Sequence, residues 1–393
     1  MNTKTTERRL DLDWLRVLAI MTVFVFHNGR FFDNEGWHVK NPTTYFGMDV
    51  WTYFLAGWLM PLVFVISGAS IFFALRQGGA ARFLRDKIWR LLVPLAFGIL
   101  VLSPPQNYLE RLTHGQFQGS FLEYIPVYFR DWHLWNGEFR WTGVHLWYLS
   151  YLFLFTLVLL PLFSVLKSQA GQRVTGALAR LSSRPGVIFL WALPGILLII
   201  LGDLYGLRGP APAEDVSRLF LVIFLLYGFL LFSDLRIQQT IIRQRTIALM
   251  ISFALILGTP TVVGLLENDP SLAIIVLGIS LAGILAWSCI LTVLGYGMHY
   301  LTHNHRLLAY ANEAVLPFYI LHQPVILILG YFIIPLPLSI LAKYLIIATL
   351  AFGITLGLYE YGVRRINPVR RIFGLKARKT ITPAVELVAQ PLS

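Results

Sequence analysis

Arg16 and His27 stand eleven residues apart in an otherwise apolar stretch, Leu12 to Phe31. A charge inside a membrane costs at least about 2.5–3.5 kcal/mol, so ionisable groups in such a stretch are read as functional by default. Eleven residues at about 100° each close three turns with roughly 20° left over, so both side chains share one face. Along the axis they lie about 16 Å apart, half the hydrocarbon thickness of a bilayer. One stripe therefore carries a fixed cation near a membrane surface and a titratable imidazole deeper in. A neutral imidazole in a dry site can act as a general base or carry an acyl group as a nucleophile. Asp13, one turn ahead, can pair with Arg16 and lower the cost of placing it there. The plainer account has Arg16 reaching the surface and His27 making a packing hydrogen bond.

Five other groupings carry polar residues. Arg76, Arg82, Arg85, Lys87 and Arg90 form a basic loop closed by Pro94. Arg82 with Arg85, and Lys87 with Arg90, have the i,i+3 spacing that could clamp phosphates from one helix face, although membrane topology alone also gathers charge here. His145-Leu-Trp147-Tyr148-Leu lies at the outer end of an apolar run, where an interfacial role is the ordinary reading and an acceptor-binding role the alternative. Asn312-Glu313, Tyr319 and His322 share an apolar run broken by Pro317 and Pro324, which suggests a polar cavity. Glu313 and His322 are nine residues apart, about 180° around an ideal helix, so their direct pairing is not expected. His299, His303 and His305 have no carboxylate nearby, and no metal site is expected of them. Glu360 before Arg364 and Arg365 reads as an end-of-helix ion pair.

With 56% apolar and 13% charged residues over 393, the chain must be a polytopic, all-α membrane protein. Ten spans are predicted: 12–32, 49–75, 88–106, 145–166, 187–204, 218–233, 246–266, 272–298, 309–334 and 338–360. The basic N-terminal tail resembles a signal peptide, but a retained first span is expected because no small-residue cleavage site follows it. The N-terminal tail, segments 76–90, 167–186, 234–245 and 299–308, and the tail from 361 hold 23 of the 32 basic residues. Both termini are then cytoplasmic, and the net charge of +12 is largely a topology signal rather than a nucleic-acid one. Residues 1–363 form the membrane domain and 364–393 a basic cytoplasmic tail, disordered after Lys379. The lone Cys289 excludes an intrachain disulfide. The outer segment 107–144 is rich in aromatics, among them Tyr108, Phe117, Phe121, Tyr124, Tyr128, Trp132, Trp135 and Phe139, which could anchor at the headgroups or stack on a sugar.

Five features in order resemble the acyltransferase 3 family of integral membrane O-acyltransferases. They are Asp13, Arg16-x10-His27, Val63-Phe-Val-Ile-Ser67-Gly68, the basic residues running into Arg90-Leu-Leu-Val-Pro94, and Leu316-Pro-Phe-Tyr-Ile-Leu-His322-Gln-Pro-Val; the ten-span count agrees with that family. His145-Leu-Trp-Tyr-Leu and Trp37-His38-Val are similar to the branch containing the periplasmic glucan succinyltransferases, the glucans biosynthesis protein C group. The resemblance implies a cytoplasmic acyl-CoA donor, no permanently bound cofactor, and a carbohydrate hydroxyl outside the cytoplasm as acceptor. It implies a multi-pass protein of a bacterial inner membrane. His27 would be catalytic, with Arg16, Glu313 and His322 beside it; Arg82, Arg85, Lys87 and Arg90 would hold the donor; and His145, Trp147 and Tyr148 would meet the acceptor. Leu59 stands where relatives often carry a basic residue, which favours an uncharged acyl group. The rival readings are a transporter or flippase of glycans or lipid-linked sugars, and a sensor that only binds its ligand. No internal repeat supports the first of these.

Overall fold

The computed structural model describes residues 8–130, 141–206, 217–268 and 271–378, and these contain helices and no strand. In hydrocarbon each segment must satisfy its own backbone, which is why every apolar run here is helical. In chain order the helices are α1 (Leu10–Gly29), α2 (Phe46–Gln77), α3 (Ala80–Thr113) and α4 (Phe121–Arg130). Next come α5 (Val144–Lys167), α6 (Gln169–Ser182), α7 (Val187–Leu204), α8 (Leu219–Ser233) and α9 (Leu235–Asn268). The last are α10 (Leu272–Tyr300), α11 (Arg306–Ile333), α12 (Ile340–Val363) and the short α13 (Asn367–Ile372). Eight of these are long and apolar enough to cross a membrane; α1, with its charged first turns, and the shorter α8 correspond to the other two predicted spans.

The helices run further than the apolar patterns at the basic end. Only Gly78 and Gly79 separate α2 from α3, so Arg82, Arg85, Lys87 and Arg90 stand on helical turns rather than in a loop. Arg and Lys are good helix formers and continue the segment, whereas the glycine pair breaks it. The expected loops 167–186 and 234–245 are likewise mostly helical.

α1 lies at the centre, packed by α2, α10, α11 and α12. The backbones of α2 and α8 touch. A Cβ on Gly68 would stand 2.0 Å from the Leu225 carbonyl oxygen, and one on Gly228 1.9 Å from that of Val65. Small residues allow this approach, which is how helices gain contact where lipid offers no hydrophobic drive. α3 widens into π-helical turns at Ile88–Leu92 and Gly98–Leu102, on either side of Pro94. Pro94 has no N–H to give the Arg90 carbonyl. Gly374, at φ 72°, comes so near that a Cβ there would sit 2.8 Å from that oxygen.

Two connecting regions shape the ends of the bundle. Between α1 and α2, Asp33 is fully buried and pairs with Arg30 (2.5 Å) and Lys40 (2.7 Å). Burial pulls the Lys40 pKa below its ordinary value, against the opposing pull of Asp33. Asn41 accepts from the buried Lys343 ammonium of α12 at 2.9 Å, which ties this loop down. On α3 and α4, Tyr108, Phe117, Phe121 and Tyr124 pack on one another with ring centroids 5.1–6.2 Å apart. Tyr124 and Tyr128 are fully buried, so this knot packs α4 on α3. Trp132, Trp135 and Phe139 lie outside the described residues. The tail also differs from a free segment: α13 docks on the bundle through buried Arg370, and Phe373 packs against Phe97 at 5.3 Å.

Candidate active site

α11 runs as one helix through Pro317 and Pro324 rather than breaking there, and its packing on the central α1 brings His322 against His27. His27 Nδ1 and His322 Nε2 are 2.8 Å apart, and His322 Nδ1 lies 2.6 Å from the Tyr319 carbonyl oxygen. A carbonyl oxygen only accepts, so His322 Nδ1 carries the hydrogen and the Nε2 of a neutral ring is the acceptor. The proton between the rings then belongs to His27 Nδ1, which leaves the His27 lone pair on Nε2. His322 is fully buried, whereas His27 is half-buried and lines a cavity of about 730 Å³. Trp37, held by the latched loop, also stacks on His27 with centroids 6.3 Å apart and planes 11° from parallel. Beside it, His38 bonds Glu110 through Nδ1 (2.5 Å) and Gln323 through Nε2 (3.3 Å). His322 and Trp37 together hold the imidazole of His27, with its lone pair left on Nε2.

Arg16 is fixed by three side chains: Asp13 (3.2 Å), Asn312 (2.9 Å) and Ser70 (2.8 Å). It lines a second cavity, about 550 Å³, together with Arg82, Lys87, Arg90 and Lys376. This cavity opens at the basic end of the bundle. Arg85, expected beside them, does not line it. Tyr148 and Ser67 meet across this cavity's wall at 2.5 Å. Tyr319 lines both cavities, and its hydroxyl donates to the His145 carbonyl at 2.6 Å. His145 returns a bond from Nε2 to the Ile320 carbonyl at 3.0 Å, so α5 and α11 are clasped where the cavities meet.

The remaining expected residues divide. His145 and Trp147 line the His27 cavity, while Tyr148 lines the basic one. Glu313 does not meet His322. Its carboxylate accepts from Arg370 (2.9 Å) and Tyr359 (3.1 Å) at the edge of the basic cavity. Glu360 pairs with Arg364 at 2.8 Å, as its spacing suggests. His305 caps α11 through Nδ1, and the His303 carbonyl accepts from Trp14. Sequence reasoning missed Ser70, Arg370 and Lys376. Ser70 had a signal, since it sits one turn after Ser67 in an apolar run; the others had none.

The class of protein follows from comparison with known families. Residues 9–360 match the acyltransferase domain model of the acyltransferase 3 family, and the chain belongs to that family. It is an integral membrane O-acyltransferase, which displaces the transporter and binding-only readings. Among named relatives, glucans biosynthesis protein C of Salmonella heidelberg (strain SL476) is 23% identical over 384 residues, 93% of this chain and 94% of that protein. The proteins of the same name from Salmonella agona (strain SL483) and Salmonella enteritidis PT4 (strain P125109) are also 23% identical, over 383 and 390 residues, with the same coverage. No solved structure matches the chain.

Proposed function

We propose that the enzyme sits in a bacterial inner membrane and moves an acyl group from cytoplasmic acyl-CoA to a hydroxyl of a glycan outside the cytoplasm. The observation that carries this reading is the pair of cavities meeting at Tyr319, one basic and the other bearing His27. Arg16, Arg82, Lys87, Arg90 and Lys376 suit the phosphates of CoA, which cannot enter hydrocarbon. The acyl-pantetheine arm, about 20 Å when extended, spans the roughly 16 Å from Arg16 to His27. His27 Nε2 takes the acceptor's proton as its oxygen attacks the thioester carbonyl. The new C–O bond forms, the C–S bond breaks, and the thiolate recovers the proton from His27. A positioned base contributes typically 10²–10⁴-fold. Glu313 holds Arg370 and the tail segment against the donor cavity rather than acting on the acyl carbon.

Sidedness tests this reading. Sealed inside-out vesicles should use acyl-CoA added outside and deposit the acyl group on glycan trapped within. Acylation only when both substrates share one face would overturn it.

A further inference from the structure

Ser67 on α2 and Tyr148 on α5 both line the basic cavity, and their hydroxyls meet at 2.5 Å. Two hydroxyls carry two hydrogens, and one bond between them uses only one. The other hydrogen has no acceptor among the described residues. Ser70, three residues on, does what a helical serine does by default and donates to the carbonyl four residues back, that of Ile66, at 2.9 Å. Ser67 makes no such bond, so the pair keeps one hydrogen and its oxygen lone pairs for another partner on this wall. Its place along the cavity indicates which. Gly29 of α1 approaches Thr52 of α2 while Arg16 bonds Ser70, so the two helices run antiparallel. The step from Ser70 to Ser67 therefore moves about 4.5 Å from the level of Arg16 toward the His27 end. At the Arg16 level the wall offers donors, namely the guanidinium and the Asn312 amide, whose oxygen Arg16 already occupies. Such donors suit a phosphate. At Ser67 the wall offers a donor and acceptors together without charge, which suits an amide. Ala19, Ile20 and Val63 line the same cavity, and the Tyr148 ring meets that of Tyr319, where the two cavities join, at 5.9 Å.

We infer that the Ser67–Tyr148 pair binds an amide of the donor's pantetheine arm, donating its spare hydrogen to the amide carbonyl and accepting from the amide N–H. The inference rests on the acyl-CoA reading above. In CoA the amide nearer the pyrophosphate has its carbonyl carbon about 6 Å from the phosphorus at ordinary covalent spacing. That distance is comparable to the step from Ser70 to Ser67, so a phosphate held at Arg16 places this amide against the hydroxyl pair. The rest of the arm then runs past Tyr319 toward His27. Tyr148 thereby belongs to the donor arm rather than to the acceptor, where the family resemblance put it.

Equilibrium binding to the purified full-length protein in lipid nanodiscs tests the pair. The probes are CoA and its nucleotide end alone, 3′-phosphoadenosine 5′-diphosphate. Tyr148→Phe keeps the ring that packs on Phe64 at 5.1 Å and on Tyr319, and Ser67→Ala removes a single oxygen, so both variants keep the fold. Two ordinary hydrogen bonds are worth roughly 5–150-fold in affinity. The double variant should bind CoA more weakly by that factor, while its affinity for the nucleotide stays at the wild-type value. Each single variant should lose part of the factor. CoA isotopically labelled at the amide carbonyl nearer the pyrophosphate gives a second readout. Its infrared carbonyl band should lie at lower frequency when bound to the wild type than when bound to the double variant. Unchanged CoA affinity, or a carbonyl band that is the same in both proteins, would overturn the assignment. An equal loss for CoA and the nucleotide would also overturn it, making the pair a packing contact between α2 and α5. Failure of the wild type to bind either probe would instead strike the donor reading on which the assignment rests.

Discussion

Replacing His322 by Phe removes the acceptor of the 2.8 Å bond that holds His27 in the tautomer with its lone pair on Nε2. The lower bound of the effect is the cost of a buried donor left unpaired, about 1–3 kcal/mol. At about 1.4 kcal/mol per decade that is roughly 5–150-fold. The upper bound is loss of the whole contribution of a positioned base, about 10⁴-fold. The expected fall in kcat therefore lies between about 5-fold and 10⁴-fold. KM for acyl-CoA should stay near the wild-type value, because Arg16 and the basic cavity are untouched. His322→Gln is the informative partner variant. Its side-chain carbonyl can accept from His27 and its amide can donate to the Tyr319 carbonyl, so it should recover activity to within about tenfold of wild type. The assay is initial-rate thiol release from acyl-CoA in the presence of glycan acceptor, with detergent-solution melting to confirm folding. If folded Phe and Gln variants lose equal activity, or the Phe variant loses none, His322 does not set the His27 tautomer.

Four further outcomes follow from the geometry. His27→Asn should lose about 10²–10⁴-fold in transfer rate while expressing normally; retained acylation would return His27 to a packing role. Arg16→Lys should weaken acyl-CoA binding by an order of magnitude or more, because an ammonium cannot reproduce a fork that reaches Asp13, Asn312 and Ser70 together; unchanged affinity in an unstable protein would make Arg16 a structural residue. Neutralising Arg82, Lys87 and Arg90 together should lower donor affinity and flatten its salt dependence, whereas Arg85→Gln should change little, since only the first three line the basic cavity; titrations at two ionic strengths separate the cases. Gly68→Ala should cost at least about 1–3 kcal/mol, since its Cβ would meet a backbone oxygen that no rotamer change can move; a variant that melts with the wild type would refute the close α2–α8 crossing.

Much of this enzyme is written locally along the chain. Apolar runs in hydrocarbon have one backbone solution, so the ten helices were legible, and misplaced mainly where Arg and Lys carried a helix past its apolar limit. The shared stripe of Arg16 and His27 was legible too, because helical angles depend only on residue separation. The half-turn between Glu313 and His322 excluded their pairing for the same reason. What residue separation does not encode is which faces of different helices meet. His27 and His322 are 295 positions apart, and their bond depends on how α1 and α11 are rotated and crossed. Arg370 claims Glu313 only because Gly374 lets the tail settle beside the kink at Pro94. The aromatic segment around α3 and α4 has a composition suited to a headgroup anchor or to stacking on sugar, and only packing shows Tyr108, Phe117, Phe121 and Tyr124 lying against one another. Tyr319 reads as part of a polar grouping on one helix, yet it stands between two cavities formed by helices drawn from the whole chain. Those cavities are spaces left between packed surfaces. Their shape and lining are set by side-chain contacts summed over many helices, a quantity that exists only once the bundle is assembled.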